Sequence, residues 1–352
     1  MGNKRGCWCG YDKYTPFSPY YIRCNNCNTL ISTVVSPGSY YMGADDGSSL
    51  YGKDYWFQHM KDLGFPDISE RARNDLSERN IFWLRQILKY KLPPAKTLEL
   101  GCCHGGSVYL MKMAGFDATG SEMSEWICDF AQNTFNITML CGPIEEHDLP
   151  HGSFDMIVLM DVFEHLSDPT AVLETIQKLL TVNGIIVIQT PCFSSPYKTH
   201  QEMKSSNDIF LEQLKENEHL YIFNQRSIES ILNKTGFQHV LFEQPIFPYD
   251  MFVFAGKEPL AKVNHEAIAE ELTKAPERRL VLSLLELYET YSLCEQDRIA
   301  KQEVIENMTI DRELYAGKMA EQAVMNCRNE ILNSYCWKMT APLRKFADLF
   351  KR

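Results

Sequence analysis

Lys96-Thr97-Leu98-Glu99-Leu100-Gly101-Cys102-Cys103-His104-Gly105-Gly106 decides the fold of this 352-residue chain. Lys96–Leu100 reads as a β-strand, Gly101 breaks it, and a helical pattern then runs to about Ala114. A glycine-bearing turn between strand and helix lets backbone N–H groups approach a ligand closely. Downstream, a second strand at Asp117–Gly120 ends at Glu122, 21 residues after Gly101, where an acid can receive ribose hydroxyls. A helix over Trp126–Phe135 and a third strand at Ile137–Leu140 come next. Then follow a fourth strand at Phe154–Met160, a helix at Ala171–Leu180 and a fifth strand at Gly184–Gln189. A long insertion separates these from final strands at Val240–Phe242 and Phe252–Ala255. Strands alternating with helices predict a doubly wound, parallel α/β sheet over residues 96–257. The spacing Glu99-x-Gly101-x-Cys103-x-Gly105 is not the dinucleotide pattern. An acid in the strand end is poor company for a pyrophosphate and suits a cationic or amino-bearing ligand.

These residues resemble motif I of class I S-adenosylmethionine (SAM)-dependent methyltransferases, whose sheet is Rossmann-like. Gly142-Pro143-Ile144-Glu145 with Leu149-Pro150 is similar to that family's adenine-contacting segment. Ser153–Val158 running into Asp161-Val162-Phe163-Glu164-His165-Leu166 resembles its fourth strand and following loop, and Asn183–Ile188 its fifth strand. The resemblance implies SAM as cofactor, held by Glu99, Gly101, Cys103, Gly105, Glu122, Ile144, Glu145 and Asp161. Cys103 stands where the family usually has glycine, and a left-handed backbone there costs a non-glycine residue about 1–2 kcal/mol.

Two cysteine pairs, Cys7-x-Cys9 and Cys24-x-x-Cys27, mark a short start at residues 1–40. Four thiolates from two turns can enclose a tetrahedral structural Zn²⁺, which would supply folding energy that so short a segment lacks. The other cysteines are expected to be free thiols. Tyr21-Ile22-Arg23-Cys24-x-x-Cys27-x-Thr29-Leu30, followed by Leu50-Tyr51-Gly52-Lys53-Asp54-Tyr55-Trp56, resembles a zinc-ribbon and lead-in. That pair precedes the SAM domain in methyltransferases of bacterial sugar and polysaccharide gene clusters. The resemblance implies a glycan, lipid-linked glycan or nucleotide-sugar acceptor, with Tyr51, Tyr55 and Trp56 as a lid within the lead-in, residues 41–95. The expected activity is methylation of a sugar hydroxyl in surface-polysaccharide biosynthesis. Its rivals are C-methylation of a nucleotide-linked deoxysugar and a non-catalytic scaffold or chain-length-control protein.

Methyl transfer needs alignment and removal of a proton from the nucleophile, so a base belongs near the C-terminal strand ends. His219 in the insertion is the first candidate and His165 the second, with His200 and Tyr197 nearby in sequence. Asp161, Glu164 and His165 also resemble a carboxylate–carboxylate–histidine cluster that holds Mg²⁺ in some relatives.

Residues 258–336 read as helices, with Leu280, Leu284, Leu287, Tyr291 and Cys294 in the 4-3-4-3 spacing of a coiled coil. This seam either packs on the chain's own surface or joins copies into a homo-oligomer. The stretch Ser334–Arg344 resembles one seen in polysaccharide-assembly proteins. Residues 337–352 carry five basic residues and one acid beside Phe346, Leu349 and Phe350. Such an amphipathic tail suits peripheral contact with an anionic membrane surface, or a protein partner. The whole chain is acidic, with 35 Lys and Arg against 46 Asp and Glu, which argues against a nucleic-acid partner. With neither an apolar run of spanning length nor a secretory signal, the chain is expected in the cytoplasm, at most peripheral at the inner face of the membrane.

Overall fold

The computed structural model describes residues 5–34, 53, 56–57, 62, 64, 66–195, 198–334 and 338. The chain divides into two units, residues 1–286 and 287–352. The first opens with an antiparallel ribbon: β1 (Tyr14–Pro16), β2 (Tyr21–Cys24) and β3 (Leu30–Ser32). Helices α1 (Ile68–Asp75) and α2 (Ile81–Leu88) follow, joined by one turn of π-helix at Leu76–Asn80. Asp67 starts α1 by accepting the N–H groups of Ser69 and Glu70, a cap that satisfies two otherwise orphaned donors.

The predicted alternation then appears in order. It runs β4 (Lys96–Leu100), α3 (Gly106–Ala114), β5 (Asp117–Glu122), α4 (Glu125–Phe135), β6 (Thr138–Cys141), β7 (Phe154–Met160), α5 (Pro169–Leu179) and β8 (Leu180–Pro191). The insertion supplies α6 (His200–Ser205) and β9 (Tyr221–Ile222), followed by α7 (Gln225–Lys234). Strands β10 (His239–Glu243) and β11 (Asp250–Gly256) complete the sheet, and helices α8 (His265–Leu272) and α9 (Pro276–Asn333) end the described chain. Across the sheet the order is β10-β11-β8-β7-β4-β5-β6. The five strands from β8 to β6 are parallel, and β11 runs antiparallel between β10 and β8. This is the doubly wound, Rossmann-like architecture that the sequence predicts.

The reason lies in burial. In β7 every residue but Asp155 is buried, which a strand covered on both faces requires. Leu98, Ile157, Leu159, Ile186 and Ile188 pack in one core with Leu173 and Ile176 of α5. The strand order reverses between β4 and β7, because the chain builds outward through β5 and β6 before crossing back. Open α/β sheets leave a crevice at that reversal, beyond the carboxyl ends of the strands.

Two features differ from the sequence reading. Strand β3 pairs with β9 in the register Leu30↔Ile222 and Ile31↔Tyr221, so the cysteine-marked start shares a sheet with the insertion. And Cys128 on α4 is joined to Cys141 at the end of β6 as a disulfide, so these two scattered cysteines are not free thiols. Helix α4 packs against β6, which brings them together with Cα atoms 6.1 Å apart. Tyr51, Tyr55, Tyr197, Cys336 and, apart from Lys338, the basic tail lie outside the described residues. No helix among the described residues is long and apolar enough to cross a membrane.

Gly105 is what allows α3 to start where it does. It takes φ +81°, and a Cβ there would lie 2.4 Å from Ile137 Cδ1. Gly105→Ala should therefore combine left-handed strain with overpacking and destabilise the protein by about 2–4 kcal/mol, read from the midpoint of urea unfolding.

Candidate functional site

A cavity of about 840 Å³ opens at the strand-order reversal. One end is built by the turns after β4, β5 and β6, the other by the loop after β7, the insertion and the start of β11.

At the first end, Glu99 is buried at the tip of β4. Burial, reinforced by the charge of Glu122, raises its pKa to about 8, and its Oε2 has no hydrogen-bond partner among the described residues. Gly101 takes φ +65° and Cys103 φ +52°, so the residue standing where glycine is usual does adopt the left-handed backbone. Both line the cavity, as do Ile144 and Glu145. Gly105 does not line it. It turns the chain behind the loop, against Ile137 and Ala131. Glu122 ends β5, where its Oε2 accepts the Met123 N–H at 3.0 Å and burial raises its pKa to about 7.

The glycine-bearing loop is locked from outside by residues that sequence reasoning missed. The Nδ1 of His104 accepts the Gly106 N–H at 3.1 Å, which leaves Nε2–H to donate to Asp75 Oδ2 at 3.0 Å. Burial keeps this imidazole below its ordinary pKa, hence neutral. Asp75 also receives Arg71 and Arg79. Burial pushes the Asp75 carboxyl up, but the His104 bond and the two guanidinium groups outweigh it and hold the group below its usual range. The π-helical turn places both Arg79 and Asn80 along the cavity wall.

Asp161, just past β7, has φ +56°. Its carboxylate accepts Arg79 Nη1 at 3.2 Å and Gln189 Nε2 at 2.9 Å, while Gln189 accepts the Trp83 Nε1–H at 2.9 Å. The Arg79 guanidinium lies over the rings of Trp83 and Phe247. Asp161 is therefore held away from Glu164 and His165, and the expected Asp161–Glu164–His165 Mg²⁺ set is replaced by another. The structure gathers Glu164, His165 and His219, with one ligand atom of each within 4.8 Å of the others.

The ring nitrogens are sorted by their partners. His165 Nδ1 lies 2.8 Å from the Glu218 carbonyl and His219 Nδ1 2.7 Å from the Gln213 carbonyl. A carbonyl only accepts, so each Nδ1 carries the hydrogen and each neutral ring has its lone pair on Nε2. Thr190 donates to Glu164 Oε2 at 2.8 Å, and His165 Nε2 stands 3.8 Å from the other oxygen. Burial pushes the Glu164 carboxyl up and both imidazoles down, so all three favour the neutral form. Asp250, at the start of β11, is a further acid no motif pointed to. It is 8% exposed, lines the cavity, and is raised to about 8 by burial and then by the charge of Asp161. His200 lies away from this cavity, against Phe17, whereas Trp56 lines it beneath Arg71.

The four cysteines of the ribbon also converge. Cys7 Sγ lies 3.4 Å from both Cys27 and Cys9, and Cys9 lies 3.6 Å from Cys24. A tetrahedron with Zn–S bonds of about 2.3 Å has edges of roughly 3.8 Å, so the donor set fits a structural Zn²⁺ with little adjustment. A hydrogen bond from Cys7 holds the Cys27 thiol down to about 5, while Cys7 itself is pushed up. The ribbon also braces the insertion at the end of the cavity that holds His219. Tyr21 donates to the His219 carbonyl at 2.8 Å, Ser32 Oγ to the Glu216 carbonyl at 2.6 Å, and Ser32 N–H to the Leu220 carbonyl at 3.0 Å.

The family described as "Methyltransferase domain" matches residues 72–241. A ubiquinone biosynthesis O-methyltransferase of Psychrobacter cryohalolentis is 31% identical over 107 residues, covering 27% of this chain and 40% of that one. Its namesake in Haemophilus ducreyi is 28% identical over 105 residues, covering 27% and 44%. The chain thus spans less than half the length of these relatives. A SAM-dependent methyltransferase of Archaeoglobus fulgidus covers 57% of this chain and 99% of its own at 16% identity, with a TM-score of 0.42.

If the four cysteines hold zinc, the purified protein should contain one equivalent by elemental analysis. Cys27→Ser should lose it and make the ribbon the first segment to yield to protease.

Proposed function

We propose that this chain, whose residues 72–241 match the family described as a methyltransferase domain, uses SAM to methylate a hydroxyl group of a sugar acceptor. The observation that carries the reading is the cavity itself, with a cofactor-type end at Glu99, Gly101 and Glu122 and a separate Glu164–His165–His219 cluster at the other. The residues fit the cofactor. The unpartnered Oε2 of buried Glu99 suits an amino group or the field of a sulfonium, and Glu122 stands where ribose hydroxyls would donate. When bound, SAM supplies an activated methyl group for in-line displacement.

The chain's own work is then alignment and proton removal. The Nε2 of His219 carries a lone pair within the cavity wall and is positioned through Nδ1, so it is the assigned proton acceptor, with His165 beside it. At the same end Phe247 and Tyr249 stack at 5.3 Å and 6° next to Asp250. A flat apolar face beside a carboxyl group suits a ring that bears hydroxyls. The likeness to ubiquinone biosynthesis O-methyltransferases supports oxygen over carbon as the nucleophile. A role in surface-polysaccharide assembly rests on the resemblance of the ribbon and lead-in.

A second reading is favoured by one observation, the convergence of three donors. Glu164, His165 and His219 would hold a divalent ion, and two imidazoles suit Zn²⁺ or Mn²⁺ better than Mg²⁺. The hydrogen bonds from Nδ1 to backbone carbonyls are the kind that orient metal-binding imidazoles. Such an ion would polarise the acceptor oxygen, and His219 would then be a ligand rather than a base.

Mass spectrometry of nucleotide sugars, lipid-linked glycans and catechols incubated with the protein and SAM tests the function. Addition of one methyl group to a sugar is expected, and transfer to a catechol alone would remove the sugar assignment. On the acceptor so found, His219→Ala should lower kcat by roughly 10²–10⁴-fold with SAM affinity unchanged. Activity indifferent to chelators supports the base, and a loss restored by Mn²⁺ while elemental analysis shows the ribbon's zinc still in place supports the ion. SAM affinity has its own pH signature. Glu99 and Glu122 have pKa values raised to about 8 and about 7, and only their ionised forms attract the cofactor fully. Affinity should therefore rise from pH 6 to 7.5, with proton release on binding, measured by calorimetry in buffers of different ionisation enthalpy.

A further inference from the structure

Helix α9 carries two apolar stripes, and they lie in different surroundings. Val281 and Leu285 are 1% and 8% exposed, within the core of the first unit. The stripe with 4-3-4-3 spacing is another face: Leu280, Leu284, Leu287 and Tyr291 are 40–65% exposed, and Cys294 is exposed too. Internal packing, one of the two readings of this seam, is therefore not what covers it. The same register continues through Ile305, Met308, Tyr315 and Met319, all more than half exposed. Within the second unit, from Leu287 to Met319, the seam is about 48 Å long at 1.5 Å per residue. Sixteen of the twenty-one large exposed apolar residues among those described are on this one helix. Scattered single apolar residues on a surface need no explanation, but a contiguous stripe of this length does.

We propose that the seam pairs with the same seam of a second copy of this chain, as a coiled coil. Heptad spacing is self-complementary, since each layer then meets its own kind across a two-fold axis. Charge supports the same occupant. Three layers of the seam are basic, Arg298, Lys301 and Arg312, and the first two are ion-paired on their own helix, to Glu295 and Asp297 respectively. With Leu284 and Tyr291 at a positions, Glu295 and Asp297 fall at the flanking e and g positions. At these first two layers, two copies thus bring four basic and four acidic groups together, a neutral block, whereas a uniformly basic or acidic partner would leave half of them unmatched. The mixed signs also disfavour an anionic lipid surface as what covers this face.

Light scattering of the full chain during size-exclusion chromatography, over a range of concentrations, tests the proposal. The expected mass is twice 40.6 kDa. Leu287→Glu with Tyr291→Glu should weaken association by about 100-fold or more, since each layer would bury unpaired carboxylates. The variant's SAM affinity should match that of the parent, which shows that the first unit keeps its fold. Arg328→Glu, off the seam, should leave the dimer intact. A parent that stays monomeric at every concentration overturns the proposal, as does a dimer that survives the double substitution. A monomer that sediments with vesicles of anionic lipid overturns it in favour of a membrane surface.

Discussion

Burial of carboxyl groups without cations governs this cavity. Taking an ionised carboxylate out of water costs several kcal/mol unless a partner compensates. Asp75 and Asp161 have such partners in Arg71, Arg79, His104 and Gln189, and they tie the lead-in helices to the sheet. Glu99, Glu122, Glu164 and Asp250 form no ion pair with a cation among the described residues, and burial raises the pKa of each, with the Arg79 charge offsetting part of that rise at Asp250. The first group is structural, because it is already satisfied. The second has only neutral donors, such as the Met123 N–H on Glu122 and the Thr190 hydroxyl on Glu164, so its charge is open to compensation by a proton or a bound ligand.

Much of this was legible where the signal is local. Leu98, Glu99 and Gly101 fix a strand and its turn within a few residues, and the step from Gly101 to Glu122 is the length of one strand–helix–strand unit. The positive φ of Cys103 was likewise readable, because a turn of that type requires it whatever side chain occupies it. Arg71, Asp75, Arg79 and Asp250 were not readable. They enter the cavity from elements on the sheet's flank, and no spacing rule connects them to the motif they serve. Only His104 gave a visible hint, since it sits inside the motif. Its partner Asp75 is 29 residues earlier, on a helix whose docking is decided by tertiary packing.

The regrouping of Glu164 and His165 with His219, rather than Asp161, has the same origin. Nearness in sequence made Asp161 the natural third member. A left-handed backbone turns it instead to Arg79 and Gln189, and the insertion brings His219 into the vacated role. The hydrogen bond from Leu220 N–H to the Glu164 carbonyl, 2.8 Å long, pins the insertion to the loop after β7 at this point.

The ribbon and the end of the cavity that holds His219 are therefore one mechanical system. Strand β3 hydrogen-bonds to β9, which begins two residues after His219, and Tyr21 holds that residue's own carbonyl. A short antiparallel ribbon has little core with which to hold such a strand in register. Four converging sulfurs can fix it instead, because a tetrahedral ion would constrain both turns at once. A structural metal would in this way set the position of a histidine that it never touches. Loss of the ion would loosen β3 and β9 first, and the end of the cavity around His219 would lose its geometry while the end built on β4 and β5 kept its own.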